Sequence, residues 1–107
     1  MGDRRKVEIV AQSMKTPIVF YTHWSGAELP KYAEEALMLN DGHRGDDTYA
    51  AMAIVDTLHE KCGRSSCGLS TNPDDFEDEY NRNDQTSMDI DLDDWKVNIY
   101  PIERPGG

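Results

Sequence analysis

The neighbouring side chains of His23 and Trp24 are the strongest candidates for chemistry in this chain. A histidine near neutral pH can act as a general base, a ligand or a hydrogen-bond donor. An indole either stacks on a planar ligand or closes the edge of a hydrophobic core. For His23 we favour a structural or binding role over catalysis, and for Trp24 we favour the role of a lid on the core.

A second polar segment, residues 41–47 (DGHRGDD), contains further candidates for ligand or partner binding. Arg44 could hold a phosphate or carboxylate through two parallel hydrogen bonds. Alternatively, it pairs with a neighbouring acid and holds its own loop in place. If this loop lies at the same end of the sheet as the His23 loop, one pocket is lined by His23, Trp24, Arg44 and Asp47. Two antiparallel helices between the loops do not guarantee that arrangement.

Most of the net charge of −10, which results from 21 acidic and 11 basic residues, lies between Asn72 and Asp94. An acidic surface disfavours binding to nucleic-acid phosphates or anionic lipid, so we expect neither a direct nucleic-acid partner nor a membrane. The segment either suits a basic protein surface or serves solubility alone, which is the commoner role. The candidate partner-binding acids are Asp74, Asp75, Glu77 and Asp78.

Asp89, Asp91 and Asp93 invite interpretation as a metal site, but their spacing argues against it. On a strand, successive members of this set share a face yet lie ~6.5–7 Å apart, too far to converge on one ion. The calcium-binding loop pattern of EF-hands is also absent. We therefore expect no metal in the hairpin.

The two cysteines, Cys62 and Cys67, have neither the spacing of a redox pair nor enough partners for a zinc site. We predict free thiols, with a loop-closing disulfide as the lesser alternative. No catalytic or cofactor-binding motif is present, which favours a protein without a cofactor and without enzymatic activity.

The hydrophobic pattern predicts the elements that position these side chains. Two early strands are predicted: residues 6–12, where Val7 and Ile9 alternate with Glu8, and residues 18–21, which are rich in β-branched and aromatic side chains. Helical spacing predicts one helix over residues 29–39 and a second from Asp46 or Asp47 to Gly63. A short strand over residues 68–71 and a hairpin follow, with strands 88–92 and 95–99 joined by a turn at Asp93 and Asp94.

The order ββααβββ predicts an α+β domain with two layers, in which a mainly antiparallel sheet is covered on one face by two helices. The 107 residues are enough for one domain. Its predicted parts are a ββααβ core (6–71), a mobile acidic loop (72–87), the β-hairpin (88–100) and a flexible tail (101–107). With no apolar span and no signal-peptide pattern, a cytoplasmic location is the default expectation.

Three segments resemble a group of small uncharacterised proteins encoded by bacteriophages and prophages: Tyr21 to Pro30 (YTHWSGAELP), Arg44 to Ala50 (RGDDTYA) and Gly68 to Ser70 (GLS). The proteins of that group carry a Y-T-H-W-G-G-x-E-L-P motif. The resemblance covers roughly residues 18–71 and departs from the group at Ser25, Cys67 and Leu69. It implies a phage setting, and so the host-cell cytoplasm, but no particular activity.

Three hypotheses about function follow from these observations. The leading one is a non-enzymatic phage accessory protein that binds and modulates a host or defence protein, with the acidic segment facing a basic surface. The alternative is a small-molecule or nucleotide-binding protein, or a small enzyme, with its pocket at the His23–Trp24 loop. The third is a structural protein of the virion or a self-assembling homodimer.

Overall fold

A computed structural model of the chain describes residues 4–72 and 86–101. These residues form five strands and two α-helices: β1 (Arg5–Val10), β2 (Ile18–Thr22), α1 (Leu29–Leu39), α2 (Asp47–Cys62), β3 (Cys67–Ser70), β4 (Thr86–Asp91) and β5 (Lys96–Pro101). A single turn of 3₁₀ helix follows each α-helix, at Asp41–His43 and at Arg64–Ser66. Most of the predicted acidic loop and nearly all of the predicted tail lie outside the described residues.

The strands form one sheet in the order β3-β2-β1-β4-β5. Three of its contacts are antiparallel, and the central contact between β1 and β4 is parallel, with Ile9 opposite Ile90. The main-chain N–H of Leu92 extends that contact by donating to the carbonyl of Val10 at 2.9 Å. The prediction of a mainly antiparallel α+β sheet is therefore confirmed, and the β4–β5 hairpin lies directly beside the first strand.

Both helices pack on the same face of the sheet. Alternation along each strand places one apolar set on that face, because successive side chains of a strand point to opposite sides. The helices meet this set with residues at helical spacing, and α1 lies towards β5 while α2 lies over β2. The core on the sheet side consists of Val7, Ile9, Phe20, Met88, Ile90 and, just after β4, Leu92, and on the helix side of Leu29, Ala33, Ala36, Leu37, Ala50, Ala51, Ile54, Leu58 and Cys62.

Polar contacts join the two helices along their outer edge. The ammonium of Lys61 lies 2.6 Å from a carboxylate oxygen of Glu35. This hydrogen bond lowers the pKa of Glu35 and raises the pKa of Lys61. Near the end of α1, the amide of Asn40 donates to the carbonyl of Ala36 at 2.8 Å and to the hydroxyl of Thr57 at 3.0 Å. Two contacts about one helical turn apart thus fix the register of α1 against α2.

The turn of the hairpin differs from its prediction. The sequence favours Asp93 and Asp94 as the turn and places Trp95 at the start of the next strand. In the structure, the turn comprises the four residues between β4 and β5, and Trp95 adopts a left-handed backbone with φ 55°. Leu92 also leaves the strand but stays 2% exposed, because its side chain remains in the core.

Candidate functional site

The His23–Trp24 loop leaves the sheet at the end of β2, as predicted. The main-chain N–H of His23 donates to the carbonyl of Ser66 at 2.9 Å, which fastens the loop to the segment before β3. The Nδ1 atom of His23 lies 3.0 Å from the hydroxyl of Tyr21. The imidazole and the indole of Trp24 meet edge to face, with ring centroids 4.4 Å apart. These contacts give the half-buried imidazole a fixed orientation.

Trp24 is not a lid on the core, and that prediction is wrong. Its side chain is 55% exposed, whereas residues of the core are less than 6% exposed. The loop turns the indole outwards against His23 instead of inwards onto the helices. The pair therefore offers an aromatic surface to solvent, which suits recognition better than a structural role.

Within residues 4–72 and 86–101, the surroundings of His23 lack the parts of a nucleophilic catalytic site. Such a site needs a nucleophile within hydrogen-bond reach of the base and a further group that orients the base. Among the described residues, the hydrogen bonds of the imidazole ring go to the Tyr21 hydroxyl alone. The geometry supports binding through His23 and Trp24 and gives no support to catalysis.

Two thiols lie behind this loop. Cys62, the last residue of α2, is 5% exposed, and its carbonyl accepts a hydrogen bond from the Ser25 hydroxyl at 3.4 Å. Burial raises the pKa of Cys62 to about 11, and the nearby sulfur of Cys67 adds to the rise. Burial also raises the pKa of Cys67, against an opposing hydrogen bond from the Thr22 hydroxyl. Both cysteines are free thiols, and neither has the lowered pKa of a reactive cysteine.

We expect iodoacetamide to modify Cys62 in the folded protein at pH 8 at least tenfold more slowly than in the urea-unfolded chain. With a pKa of about 11, roughly one thiol in a thousand is ionised at that pH, and the thiolate is the reacting species. The rate at Cys62 should rise about tenfold for each pH unit until the pKa is reached. Peptide mapping by mass spectrometry measures the extent of modification at both cysteines in one sample, and the more exposed Cys67 serves as the internal control. Equal rates for Cys62 in folded and unfolded chains would contradict its burial.

Arg44 and Asp47 lie at the opposite end of the helices from the His23 loop. Asp47 begins α2 and Cys62 ends it, and a helix of 16 residues rises about 22 Å between its first and last residue. The Cys62 end contacts Ser25 in the His23 loop, whereas the Asp47 carboxylate accepts a hydrogen bond from Ser13 in the β1–β2 turn. The four candidates of the proposed common pocket therefore form two separate pairs.

The side chain of Arg44 is exposed and makes no ion pair within the described part of the chain. Its loop is held by the backbone instead, since the N–H of Arg44 donates to the carbonyl of Asp41 at 3.1 Å. Gly45 follows with φ 95°, a conformation that glycine adopts without strain. The interpretation of Arg44 as the residue that locks the loop is therefore wrong.

Asp47 instead borders an apolar cleft that the sequence does not predict. The cleft encloses about 260 Å³ between the first half of α2, the β1–β2 turn and the edge strand β3. Two of its lining side chains are widely exposed, Met52 at 66% and Leu69 at 59%. Tyr49, one helical turn before Met52, is exposed at 66%. The cleft is lined by Met14, Ile18, Asp47, Thr48, Ala51, Met52, Val55 and Leu69.

A signal for this cleft was present in the sequence but was ambiguous. Met52 lies among apolar residues at helical spacing in the predicted second helix, and Leu69 lies in the short predicted strand over residues 68–71. Both residues are compatible with burial in the core, because a single sequence does not show which apolar face of a helix lines a cleft. The pairing of Leu69 with Phe20 puts it on the helix side of the sheet at an edge, where no further strand covers it within the described residues.

The candidate acids Asp74, Asp75, Glu77 and Asp78 lie outside the described residues. The acids of the hairpin are described, and they make specific structural contacts. Asp91 accepts hydrogen bonds from the N–H groups of Asp93 and Asp94 at 2.9 and 3.1 Å, and Asp93 accepts from the N–H of Gln12 at 2.7 Å. Asp89 accepts from the Asn98 amide at 2.9 Å. These carboxylates therefore hold the hairpin and its turn in place.

Within residues 4–72 and 86–101, no group of three or more histidine, cysteine or acidic residues is placed to hold a metal ion. No helix of the same residues is long and apolar enough to cross a membrane. No protein-family model matches the chain, and no curated protein or solved structure is significantly similar to it.

Proposed function

We propose that this chain is a non-enzymatic protein-binding module that acts as a phage accessory protein and binds a host or defence protein. The observation that carries the proposal is the apolar cleft beside α2, with Met52 and Leu69 exposed at its edges. Apolar side chains grouped around an opening mark interaction sites more often than single exposed ones do. Methionine suits such a surface because its flexible thioether adapts to a partner.

The chemistry of the partner follows from the charge around the cleft. The polar part of the lining is Asp47 and Thr48, and Asp46 beside them is exposed. The whole chain carries −10. A partner with an apolar side chain to insert and a basic residue next to it would match both features. We infer a basic protein surface as the target, with the acidic segment 72–94 adding attraction at longer range.

The phage setting and the host or defence identity of the target are supported by the resemblance of residues 18–71 to phage-encoded proteins. Modulation of that target would follow from occupying its surface. A small-molecule binder at the His23–Trp24 loop is the second candidate, and the exposure of Trp24 favours it.

We expect Met52→Glu and Leu69→Glu to reduce capture of the partner at least tenfold. Truncating or charging a central interface residue commonly costs 2 kcal/mol or more, and roughly 1.4 kcal/mol is a factor of ten. The measurement is affinity purification with the immobilised protein from a bacterial lysate, with quantitative mass spectrometry of the bound proteins. The unchanged protein should lose the same partner as salt is raised, because the attraction between opposite charges is screened.

Met38→Glu is the matched control for this experiment. Met38 is also an exposed methionine on a helix, but it lies near Trp95 and away from the cleft. The Met38→Glu variant should capture the partner as well as the unchanged protein does. Melting curves should show that all three variants fold. Equal capture by all three variants would refute the cleft as the site. If Trp24→Ala failed to capture the partner while the cleft variants still captured it, the binding site would be the His23–Trp24 loop instead.

A further inference from the structure

Among the described residues, strand β5 (Lys96–Pro101) forms one edge of the sheet, and some of its main-chain groups have no hydrogen-bond partner there. The N–H of Leu92, just after β4, donates to the carbonyl of Val10 in β1. Main-chain groups alternate in direction along a strand, so those of the even-numbered residues of β4 also face β1 and those of the odd-numbered residues face β5. Their β5 partners are Lys96, Asn98 and Tyr100. The N–H and C=O groups of Val97 and Ile99 therefore point outwards, away from the sheet.

We propose that β5 pairs with β5 of a second copy of this chain, antiparallel and centred on Asn98, to form a two-fold symmetric dimer with a continuous ten-stranded sheet. In this register, Val97 of each copy faces Ile99 of the other. Each of these residues donates one main-chain hydrogen bond and accepts one, as in the hydrogen-bonded pairs of an ordinary antiparallel ladder. The pairing is independent of the cleft and of the partner proposed for it.

The side chains of β5 are self-complementary in that register. Val97 and Ile99 lie on the helix side, and the exposed Ile99 (49%) gains an apolar neighbour from the second copy. On the open face, Lys96 of one copy lies opposite Tyr100 of the other. Desolvation raises the pKa of Tyr100, and the negative charge of Asp89 on the neighbouring strand adds to the rise. Each ammonium thus meets an exposed tyrosine ring with a carboxylate nearby, which gives charge complementarity on both sides of the axis.

The negative charge of the chain does not prevent this contact. Strand β5 has the sequence KVNIYP and contains no acid. Asp89 and its symmetry mate would lie three strand spacings apart, about 14 Å, which exceeds the Debye length of about 10 Å at 0.1 M salt. Pro101 ends the pairing because it has no N–H to donate. The two-fold contact uses the same edge on both copies, so it closes as a dimer and does not propagate into a fibre.

Light scattering of the purified chain over a wide concentration range tests the dimer. We expect the mass to rise from 12.1 kDa towards twice that value, and to rise further at higher salt because the repulsion between two chains of −10 is screened. Ile99→Pro removes the outward N–H and the apolar side chain of residue 99 while sparing the main-chain hydrogen bonds to β4, and it should weaken the dimer at least tenfold. A chain that stays monomeric at every concentration and salt would overturn the proposal.

Asn98→Cys gives a second test that does not depend on how well a proline variant folds. Residues 98 of the two copies would form a non-hydrogen-bonded pair with Cα atoms about 4.5 Å apart, within the range of about 4.4–6.8 Å that a disulfide requires. In a Cys67→Ser background, oxidised glutathione should therefore convert two thiols to an intermolecular disulfide and be reduced to glutathione. The control Lys96→Cys places its sulfurs roughly 14 Å apart and should not cross-link. Equal cross-linking of both variants, or of neither, would refute the register.

Discussion

Replacing Phe20 with alanine is expected to lower the free energy of unfolding by about 3–5 kcal/mol, as for other large aromatic residues removed from cores. Phe20 is 2% exposed and lies on the helix side of β2, between Val7 of β1 and Leu69 of β3. Its loss would leave a cavity beneath the helices, and the surrounding side chains would collapse only partly. Small domains are stable by only about 5–15 kcal/mol, so the variant would approach the limit of folding.

Leu69→Ala is the matched control for Phe20→Ala. The two residues face each other across the β2–β3 ladder, but Leu69 is 59% exposed. Its truncation should cost under about 1 kcal/mol, since little of its surface leaves water on folding. Urea unfolding monitored by circular dichroism measures the free energy of unfolding of both variants. The slope of this free energy against urea concentration should stay unchanged if the native state stays intact. A similar loss for both variants would mean that Leu69 is part of the core and not of a binding surface.

Trp95→Ala is expected to lower the free energy of unfolding by about 2–4 kcal/mol, because it removes a half-buried aromatic and a hydrogen bond. The indole Nε1–H donates to the carbonyl of Leu37 at 3.0 Å. That carbonyl belongs to the last turn of α1, where carbonyls have no partner within the helix. Trp95 thus connects the hairpin turn to the end of α1, and its loss would release both.

Two variants control for this prediction. Trp95→Gly should destabilise less than Trp95→Ala by about 1 kcal/mol, because glycine adopts φ 55° without the cost that other residues carry there. Trp24→Ala removes the same side chain from an exposed position and should cost under about 1 kcal/mol. Thermal or urea unfolding distinguishes these outcomes. If Trp24→Ala proved the more damaging of the two tryptophan variants, the assignment of Trp95 as an anchor and of Trp24 as a surface residue would be reversed.

The sequence by itself determined the elements of this protein well, because those elements depend on local patterns. Helix α1 was predicted over residues 29–39 and runs from Leu29 to Leu39. Pro30 suits a first helical turn, and apolar residues recur at helical spacing after it. Helix α2 ends at Cys62, as the glycine that follows indicated, and Gly63 has φ 86°. The α+β class followed from the order of these elements.

The grouping of the candidate residues was decided only by the tertiary structure. Asp47 begins α2, whereas the other end of α2 contacts the His23 loop, so the two sites are separated by the length of the helix. A sequence pattern contains no information about that distance. Trp24 follows one predicted strand and Trp95 begins another, yet Trp24 is exposed and Trp95 donates a hydrogen bond to α1. The difference arises from contacts between residues far apart in the chain, such as Trp95 with Leu37.

The order of the strands was likewise beyond the reach of local patterns. The parallel contact of β1 with β4 joins residues about eighty positions apart, and it leaves β3 and β5 as the edges. Burial of Ile9 beside Ile90 stabilises this arrangement, but many other residues are apolar enough to compete for that place. The cleft beside Leu69 and the outward main-chain groups of Val97 and Ile99 exist because of that order. Local residue types therefore determined which helices and strands form, while packing between distant segments decided which surfaces stay open for a partner.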